Sequence, residues 1–575
     1  MKIKKYYNYC KRFYKSRNKR LVLNFLVQEI RNEGLISGIK DFLHKKNFSG
    51  IPNEHLIYLT SLHKVTILTT KHCLYIANLI QKHFNDIDLD CEIIFAEPRN
   101  GFADNLHFII APQIFKKLPR LYITIQMEQS VSSRWFNKSY FKILNKSCMI
   151  VDYSLQNISY LLDSGIPLQK LYYVPISYFP DYSNYIALPI NTQNEIYDVV
   201  FYGDINNDRR VHFINAIKSR YNLKILNEVY GNELLLEVSK AKIVINIHYY
   251  ENALLETTRI YECLSIDKLI ISETSSDIDN HSNLQNIVDF VDIGDIDAMV
   301  KKISYWLEDD SRRQNKIKEN KQVLQNMQNP FTYYFYRLCL SQNLIKYDTF
   351  YQLTKEHFNI DSNLLCLSLP ESVVRRNSFS SDNKYGFEFF NGLRHIRGWI
   401  GCALSFKCMI NKALDKKLDY IIICEDDVEF DDNFANRFAI VFEYLINNME
   451  KWDIFMGIVS DLHPDTKISK IEDYASEKFV YINKMVGMVF NVYNKSIFNT
   501  ILGFDETNYD ADKNTIDRYL ESSANLKIIT TANFLVGHKE EQQSTIWGFQ
   551  NTQYNTLIQD SKNRLNRLIK KSTQL

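Results

Sequence analysis

The clearest chemistry in this chain lies in three consecutive acids that close an apolar run. Asp419–Phe430 reads DYIIICEDDVEF, with Glu425, Asp426 and Asp427 following Tyr420, three isoleucines and Cys424. So short and apolar a run predicts a strand buried on both faces. Open parallel sheets collect their ligands outside the carboxyl ends of such strands. Successive side chains of a strand alternate, which puts Glu425 and Asp427 on one side and Asp426 on the other. Two carboxylates side by side repel unless a cation separates them. A hard divalent cation takes oxygen ligands and keeps positions open for substrate phosphates. A solvated acidic turn is the competing reading.

These acids belong to a chain of 575 residues, enough at roughly 150 per domain for three or four lobes. Hydrophobic residues make up 45% and charged residues 24%, which supplies several packed cores. With only 17 Gly and 11 Pro, collagen-like and low-complexity architectures are excluded. Lys plus Arg (69) nearly cancels Asp plus Glu (67), which argues against a nucleic-acid partner for the molecule as a whole. The 10 Cys form no CxxC pair and several sit in apolar runs, as expected of buried thiols in a reducing compartment. No stretch approaches the roughly 20 apolar residues of a membrane span. The expected location is the cytoplasm.

Stepping along the chain, residues 1–55 are expected to form a basic helical segment; its first twenty residues, MKIKKYYNYCKRFYKSRNKR, contain no acid. Docking on the inner face of an anionic membrane is one use for such an arm, at roughly 1 kcal/mol per basic residue. A solvated arm is the other reading. From Lys64, short apolar runs (KVTILTT, CEIIFAE, LHFIIAP, YITIQME, MIVDYS) alternate with helical or polar spacers. The pattern restarts at DVVFYGD and continues through LKILNE, KIVINIH, KLIISE and IVDFVD. Alternation of this kind predicts β-α-β units and parallel sheets. Two consecutive lobes, 56–190 and 191–310, resemble the halves of a GT-B glycosyltransferase. A packed helical connector is expected over 311–360, a third α/β domain over 361–550, and a basic helix over 551–575.

The third block resembles glycosyltransferase family 25, the family of bacterial lipooligosaccharide and collagen galactosyltransferases. The features that carry the likeness are LSLPESVVRR, FFNGLRHIRGWIGCALSF, IIICEDDV, MVGMVFNVYNKS, NTIDRYLES and VGHKEEQQSTI, in that order. Phe406 stands where the family has His. The resemblance implies a GT-A fold and inverting transfer from a nucleotide sugar, most often UDP-galactose, with Mn²⁺ or Mg²⁺. On that implication Asp427 holds the metal, with Glu425 helping on the metal or the donor ribose, His538 as a further ligand, and Asp426 beside the donor. Arg375 and Arg376 reach the uridine or its phosphates. Asp517 takes the acceptor's proton, with Asp505 and Asp510 as competitors. A surface or helix-capping role is the alternative for each.

DVVFYGDINNDRR and KIVINIHYYENALLETTRIYECLSIDKLIISE resemble the nucleotide-sugar half of GT-B enzymes of the family-1-like clan. The likeness implies close backbone approach at Gly203, phosphate contacts from Arg209 or Arg210, and a helix start at Arg259 facing the nucleotide. It also implies ribose binding by Glu262. An Arg259–Glu262 surface pair is the competing reading. The family's Glu-x7-Glu spacing is absent, since Glu256 and Glu262 lie closer together. In the first lobe, Glu128 and Gln129 of QMEQS follow a strand and either line the acceptor side or cap a helix. The expectation is a bifunctional glycosyltransferase with nucleotide-sugar donors and a glycan or glycolipid acceptor, such as a lipooligosaccharide or capsule. Its rival is one active GT-A module beside a non-catalytic, glycan-binding or scaffolding GT-B-like module.

Overall fold

The computed structural model describes residues 58–59, 61–131, 135–188, 195–484, 486–523, 526–539, 544–546 and 554–572. The basic segment expected at 1–55 lies outside them, as do Met485 and 540–543 of the family-25 motifs. Among the described residues the chain forms two compact units, one of Asn53–Arg394 with Leu404–Ile421 and one of His395–Ala403 with Ile422–Leu575.

The first unit holds two parallel sheets. Strands β1 (Lys64–Leu68), β2 (Asp90–Ile94), β3 (Leu106–Ile110), β4 (Ile123–Gln126), β5 (Met149–Asp152) and β6 (Leu171–Tyr173) lie in the order β2-β1-β3-β4-β5-β6. Every residue of β3, β4 and β5 is buried. That is why these runs are continuously apolar rather than alternating: helices cover both faces. The helix Leu74–Asn85 sets Phe84 edge-on against Phe108 of β3, at 5.2 Å between ring centres. Strands β7 (Tyr197–Tyr202), β8 (Leu223–Leu226), β9 (Ala241–Asn246), β10 (Leu269–Glu273) and β11 (Asp289–Val291) form the second sheet, in the order β11-β10-β9-β7-β8. Its core joins Val199, Phe201, Ile243, Ile245 and Ile271 to Phe213, Ile303 and Trp306 of the covering helices. Two wound lobes in sequence are the arrangement expected from the alternating runs.

The expected helical connector comprises the helices Asp310–Asn326, Pro330–Ser341 and Tyr347–Thr354. The middle one starts on Pro330, with Asn329 Oδ1 accepting from Thr332 N. Its PFTYYFYRLCLS sequence is apolar or aromatic on nearly every side, and the helix runs back into the first lobe. Phe335 packs edge-on to Phe84 at 5.0 Å, and Tyr336 Oη donates to His83 O at 3.2 Å. Its Arg337 is fully buried. There it meets Glu371, which lies just beyond β12 (Leu364–Ser368). Arg337 donates Nη1 and Nη2 to the Glu371 carboxylate at 2.7 and 3.0 Å, and Tyr173 N of β6 donates to the same group at 2.9 Å. Strand β12 pairs in parallel with β13 (Glu388–Asn391). The opening segment of the third block is thus tied to the first lobe by a buried charge.

In the second unit β14 (Tyr420–Glu425), whose first two residues fall in the other unit, leads a mixed sheet. It contains β16 (Ile454–Met456), β17 (Ile468–Tyr474), β18 (Glu477–Ile482), β19 (Phe490–Asn494) and β20 (Ile528–Thr531), in the order β14-β19-β16-β20-β18-β17. Here β16–β20 is parallel, but β16–β19, β17–β18 and β18–β20 are antiparallel. A short turn with Ala475 at φ 50° joins β17 to β18, so these strands form a hairpin. A small antiparallel pair, β15 (Val428–Glu429) with β21 (Gly537–His538), sits beside β14 in the sequence. No described helix is long and apolar enough to cross a membrane, and the nine described cysteines are all free thiols.

Candidate active site

The carboxyl ends of the two parallel sheets open on a cavity of about 320 Å³, lined from both lobes. Its first-lobe wall is made by His72 after β1, Met127, Glu128 and Gln129 after β4, Trp135, and Tyr153 after β5. The second-lobe wall is Tyr202 at the end of β7, Tyr249 and Tyr250 after β9, and the segment from Ala253 to Glu262. Gln129 straps the walls together: its Nε2 donates to Leu254 O at 3.1 Å and its Oε1 accepts from Leu254 N at 3.0 Å.

The helix Thr257–Leu264 begins at this cavity, with Thr257, Thr258 and Arg259 all on the wall and no acid in its first turn. A helix start presents unpaired N–H groups and the positive end of the dipole. Thr257 Oγ1 is buried there without a hydrogen-bond partner. Arg259 donates Nη1 to Asn246 Oδ1 at 2.7 Å, sits 3.0 Å from Glu256 Oε2, and lies over the Tyr202 ring at 4.7 Å. Gly203, at φ +133°, makes this crowding feasible: a Cβ there would stand 3.2 Å from both Arg210 Nη1 and Arg259 Nη2. The space a side chain would need at Gly203 is taken by the arginine pair.

The carboxylates here have divergent environments. Burial alone would push Glu256 up, but Arg259, His248 and Arg210 outweigh it and hold the carboxyl well below the usual range. Burial pushes Glu262 up to about 7, only partly offset by the Tyr202 hydroxyl (3.3 Å) and Arg259. The surface ion pair weighed for Arg259 and Glu262 is not what forms: Arg259 pairs with Glu256, and Glu262 takes the tyrosine. Neither Arg209 nor Arg210 lines the cavity. Arg209 is gripped by the fully buried Glu273 and donates to His248 O at 2.9 Å. Arg210 donates to Ile247 O at 3.0 Å and Asp204 O at 2.9 Å. Both serve to shape the loop behind Gly203.

In the second unit β14 ends on Glu425, and Asp426 and Asp427 form the turn that follows it; Asp426 is buried, while Glu425 and Asp427 are partly open. Glu425 N donates to Val489 O at 2.9 Å, seating the strand end beside β19. The β15–β21 pair sets Val428 opposite His538, with Lys539 N donating to Asp427 O at 2.8 Å. His538 Nε2 then stands 3.4 Å from Asp427 Oδ2, and its ring is 4.5 Å from that of Tyr554. Asp517 lies in the same field. Burial raises the Cys402 thiol and the Tyr554 hydroxyl, and Glu425, Asp427 and Asp517 each raise both further. Segments far apart in the sequence, those of Cys402, Glu425–Asp427, Asp517, His538 and Tyr554, are thus gathered. Asp517 Oδ1 also accepts from Thr515 Oγ1 at 2.7 Å and Arg518 N at 2.9 Å, a helix-start bond. Asp505 and Asp510 hold turns, accepting from Thr507 N and Asp512 N.

A divalent cation finds suitable donor types in Asp427, Glu425 and His538, and His538 Nδ1 is buried without a hydrogen bond. Among the described residues, however, no three such groups stand at metal-holding spacing. These residues would supply only part of such an ion's ligand shell, the rest coming from a substrate diphosphate. Arg375 and Arg376 belong to the other unit, on the helix Val373–Asp382. Arg376 donates to Asn391 Oδ1 at 2.6 Å and stacks over Phe389 at 4.4 Å. Phe406 is fully buried core, so the position where the family has His points away from solvent in this chain. Sequence reasoning missed Thr257, and it missed Glu256 as the acid that fixes Arg259. The signal was present as LLETTR, a polar pair ahead of an Arg at a helix start.

Residues 189–333 match the model of glycosyl transferase-like domains, and residues 307–501 match that of glycosyltransferase family 25, described as an LPS biosynthesis protein. The chain therefore carries glycosyltransferase domains in both halves. The family-25 match begins within the helical connector, ahead of the Leu367 motif that first shows the likeness. A curated relative, the probable inactive glycosyltransferase 25 family member 3 of Rattus norvegicus, is 26% identical over 80 residues; the match spans 14% of this chain and 14% of the relative. Among solved structures, sucrose-phosphate synthase from Thermosynechococcus elongatus is 9% identical, with a TM-score of 0.32, over 46% of this chain and 94% of that one. A glycosyltransferase from Rickettsia africae is 12% identical, with a TM-score of 0.29, over 51% of this chain and 99% of that one.

Proposed function

We propose that this chain is a bifunctional glycosyltransferase that moves sugars from nucleotide-sugar donors to a surface-glycan acceptor such as a lipooligosaccharide or capsule. UDP-galactose is the donor of the second module. The observation that carries the reading is the start of the Thr257–Leu264 helix, which opens on the cavity with Arg259 beside it and the Thr257 hydroxyl unpaired. Backbone N–H groups, a hydroxyl and a guanidinium converging on one place suit a diphosphate. Glu262 would take the ribose hydroxyls, and the aromatic wall of Tyr202, Tyr249 and Trp135 would pack against base or sugar.

In the second module Asp427, with Glu425 and His538, would hold Mn²⁺ or Mg²⁺, which when bound neutralises charge on the departing nucleoside diphosphate. Asp517 would accept the acceptor hydroxyl's proton. The basic ends of the chain would keep it on the inner face of an anionic membrane, near a lipid-linked acceptor.

A panel of nucleotide sugars, incubated with the full chain with and without Mn²⁺ and read as release of UDP, GDP or CMP, tests the reading. Asp427→Asn should abolish the Mn²⁺-dependent part of UDP release and leave the unfolding transition unchanged. Undiminished Mn²⁺-dependent release by that variant would remove Asp427 from the metal site.

A further inference from the structure

We infer that Glu128 is the general base of transfer in the first module, a proposal that rests on the reading of its cavity as a nucleotide-sugar site. Of the carboxylates on the cavity wall, those of the second lobe are unsuited to the task. Glu256 is bound to Arg259 and flanked by Arg210 and His248, so its proton affinity is low. Glu262 is buried under the Tyr202 hydroxyl. The acceptor's proton must go to a group on the facing wall, where the first lobe offers Glu128 and His72. His72 is exposed, and its ring nitrogens lie 2.9 and 3.1 Å from the hydroxyl of Thr70, two residues away.

Glu128 is held far more firmly. Its N–H donates to Gln126 Oε1 at 2.5 Å, and its carbonyl accepts from Gln126 Nε2 at 2.8 Å and Asn157 Nδ2 at 2.9 Å. Asn157 Oδ1 also accepts from Ser130 N at 2.8 Å. Both amides are themselves fixed by one fully buried carboxylate, Asp152, at 2.7 and 3.1 Å. Gln113 Nε2 orients the Glu128 side chain at 2.5 Å, and the next residue is the interlobe strap Gln129. Desolvating a carboxylate is costly, and this one, which also accepts from Ser154 N at 2.9 Å at the start of the next helix, accepts two of its hydrogen bonds from the amides that hold Glu128. Those two amides fix the position of Glu128 on the cavity wall, the rigid support a proton-transfer group needs.

The step balances in one displacement. As the acceptor oxygen bonds to the anomeric carbon, its proton passes to the Glu128 carboxylate. The bond from that carbon to the diphosphate oxygen breaks, and its electron pair leaves with the nucleoside diphosphate. The product therefore has inverted anomeric configuration.

The test uses the full chain in an Asp427→Asn background, so that the second module does not mask turnover. The donor is the nucleotide sugar whose turnover by the first module the panel identifies, and donor binding is followed by calorimetry. Glu128→Gln should lower kcat by about 100- to 10,000-fold while changing nucleotide affinity less than about threefold, with Glu128→Asp between it and the parent. Retained binding shows that the variant is folded. NMR of the product should show inversion. Full turnover by Glu128→Gln with loss in His72→Asn, or a product of retained configuration, overturns the proposal while leaving the donor site standing. Absence of nucleotide binding in the parent would sink the reading of the cavity, and this proposal with it.

Discussion

Replacing Glu371 with Gln tests how firmly the third block is anchored to the first lobe. The carboxylate is fully buried and accepts three hydrogen bonds, two from Arg337 and one from Tyr173 N, with Arg394 Nη1 a further 3.8 Å away. Glutamine keeps the shape but leaves the Arg337 guanidinium, itself 0% exposed, without a counter-charge. Breaking one partner of such a pair costs about 3–5 kcal/mol. The titration argument gives a similar size. Burial pushes the Glu371 carboxyl up, but Arg337, Arg394 and the Tyr173 N–H more than offset it, and its pKa falls from 4.5 to about 2. That shift corresponds to about 3 kcal/mol. Because the folded pKa is depressed, the contribution is complete above pH 4.5 and is lost as pH falls toward 2. The assay is urea unfolding of the full chain at pH 7 and pH 3.5, following the transition of the unit that contains the two parallel sheets. Glu371→Gln should lose about 3–5 kcal/mol at pH 7 and less at pH 3.5. The double variant Arg337→Met, Glu371→Leu should recover most of the loss, since an apolar pair leaves no buried charge. A loss below about 1 kcal/mol at pH 7 would refute the claim that this pair ties the blocks together. It would also make cutting the chain near residue 355 harmless, whereas the buried pair predicts that a fragment beginning there leaves Glu371 unpaired and folds poorly.

Three further outcomes follow from particular contacts. Arg259→Met should weaken binding of UDP by about 10- to 150-fold, the worth of a charge-assisted hydrogen bond, as read by calorimetry; unchanged affinity would remove the helix start from the donor site. Glu262, raised by burial to about 7, holds a proton in the folded state that the unfolded chain releases, so its contribution to stability falls as pH rises from 4.5 to 7. Glu262→Gln should therefore be more stable than the parent at pH 8 by up to about 3 kcal/mol, with the difference vanishing near pH 4 in urea titrations. Gly487 sits at φ +136°, where a Cβ would stand 2.5 Å from Ser460 Oγ and 3.1 Å from Ser460 N. Gly487→Ala should cost about 1–3 kcal/mol in thermal unfolding and disturb the Ser460–Tyr554 hydrogen bond of 3.0 Å beside His538.

Much of this architecture is legible along the chain because it depends on local pattern. Continuous apolar runs as short as LHFII and YIIIC, rich in β-branched residues, read as strands covered on both faces, and their spacing with helical segments calls for parallel sheets. The carboxyl end of one such run marked Glu425, Asp426 and Asp427, but which of them is buried was decided by the turn at 426–427 that follows the strand. The hairpin of β17 and β18 escaped this logic, since its turn residue Ala475 gives no glycine or asparagine signal for the positive φ it adopts.

Pairing was decided only in three dimensions. DRR reads as two arginines for a phosphate, yet Arg209 is taken by Glu273, 64 residues on, and Arg210 by backbone carbonyls. Glu256 rather than Glu262 neutralises Arg259, and the carboxyl of Glu371 lies 198 residues along the chain from the Tyr173 N–H it accepts. His538 reaches Asp427 because two short strands happen to pair. The physical reason is one of range. Apolar periodicity is enforced residue by residue by the need to leave water, so it is written locally. A buried charge is satisfied by whichever partner the finished packing brings within about 3 Å, and only the folded chain selects that partner.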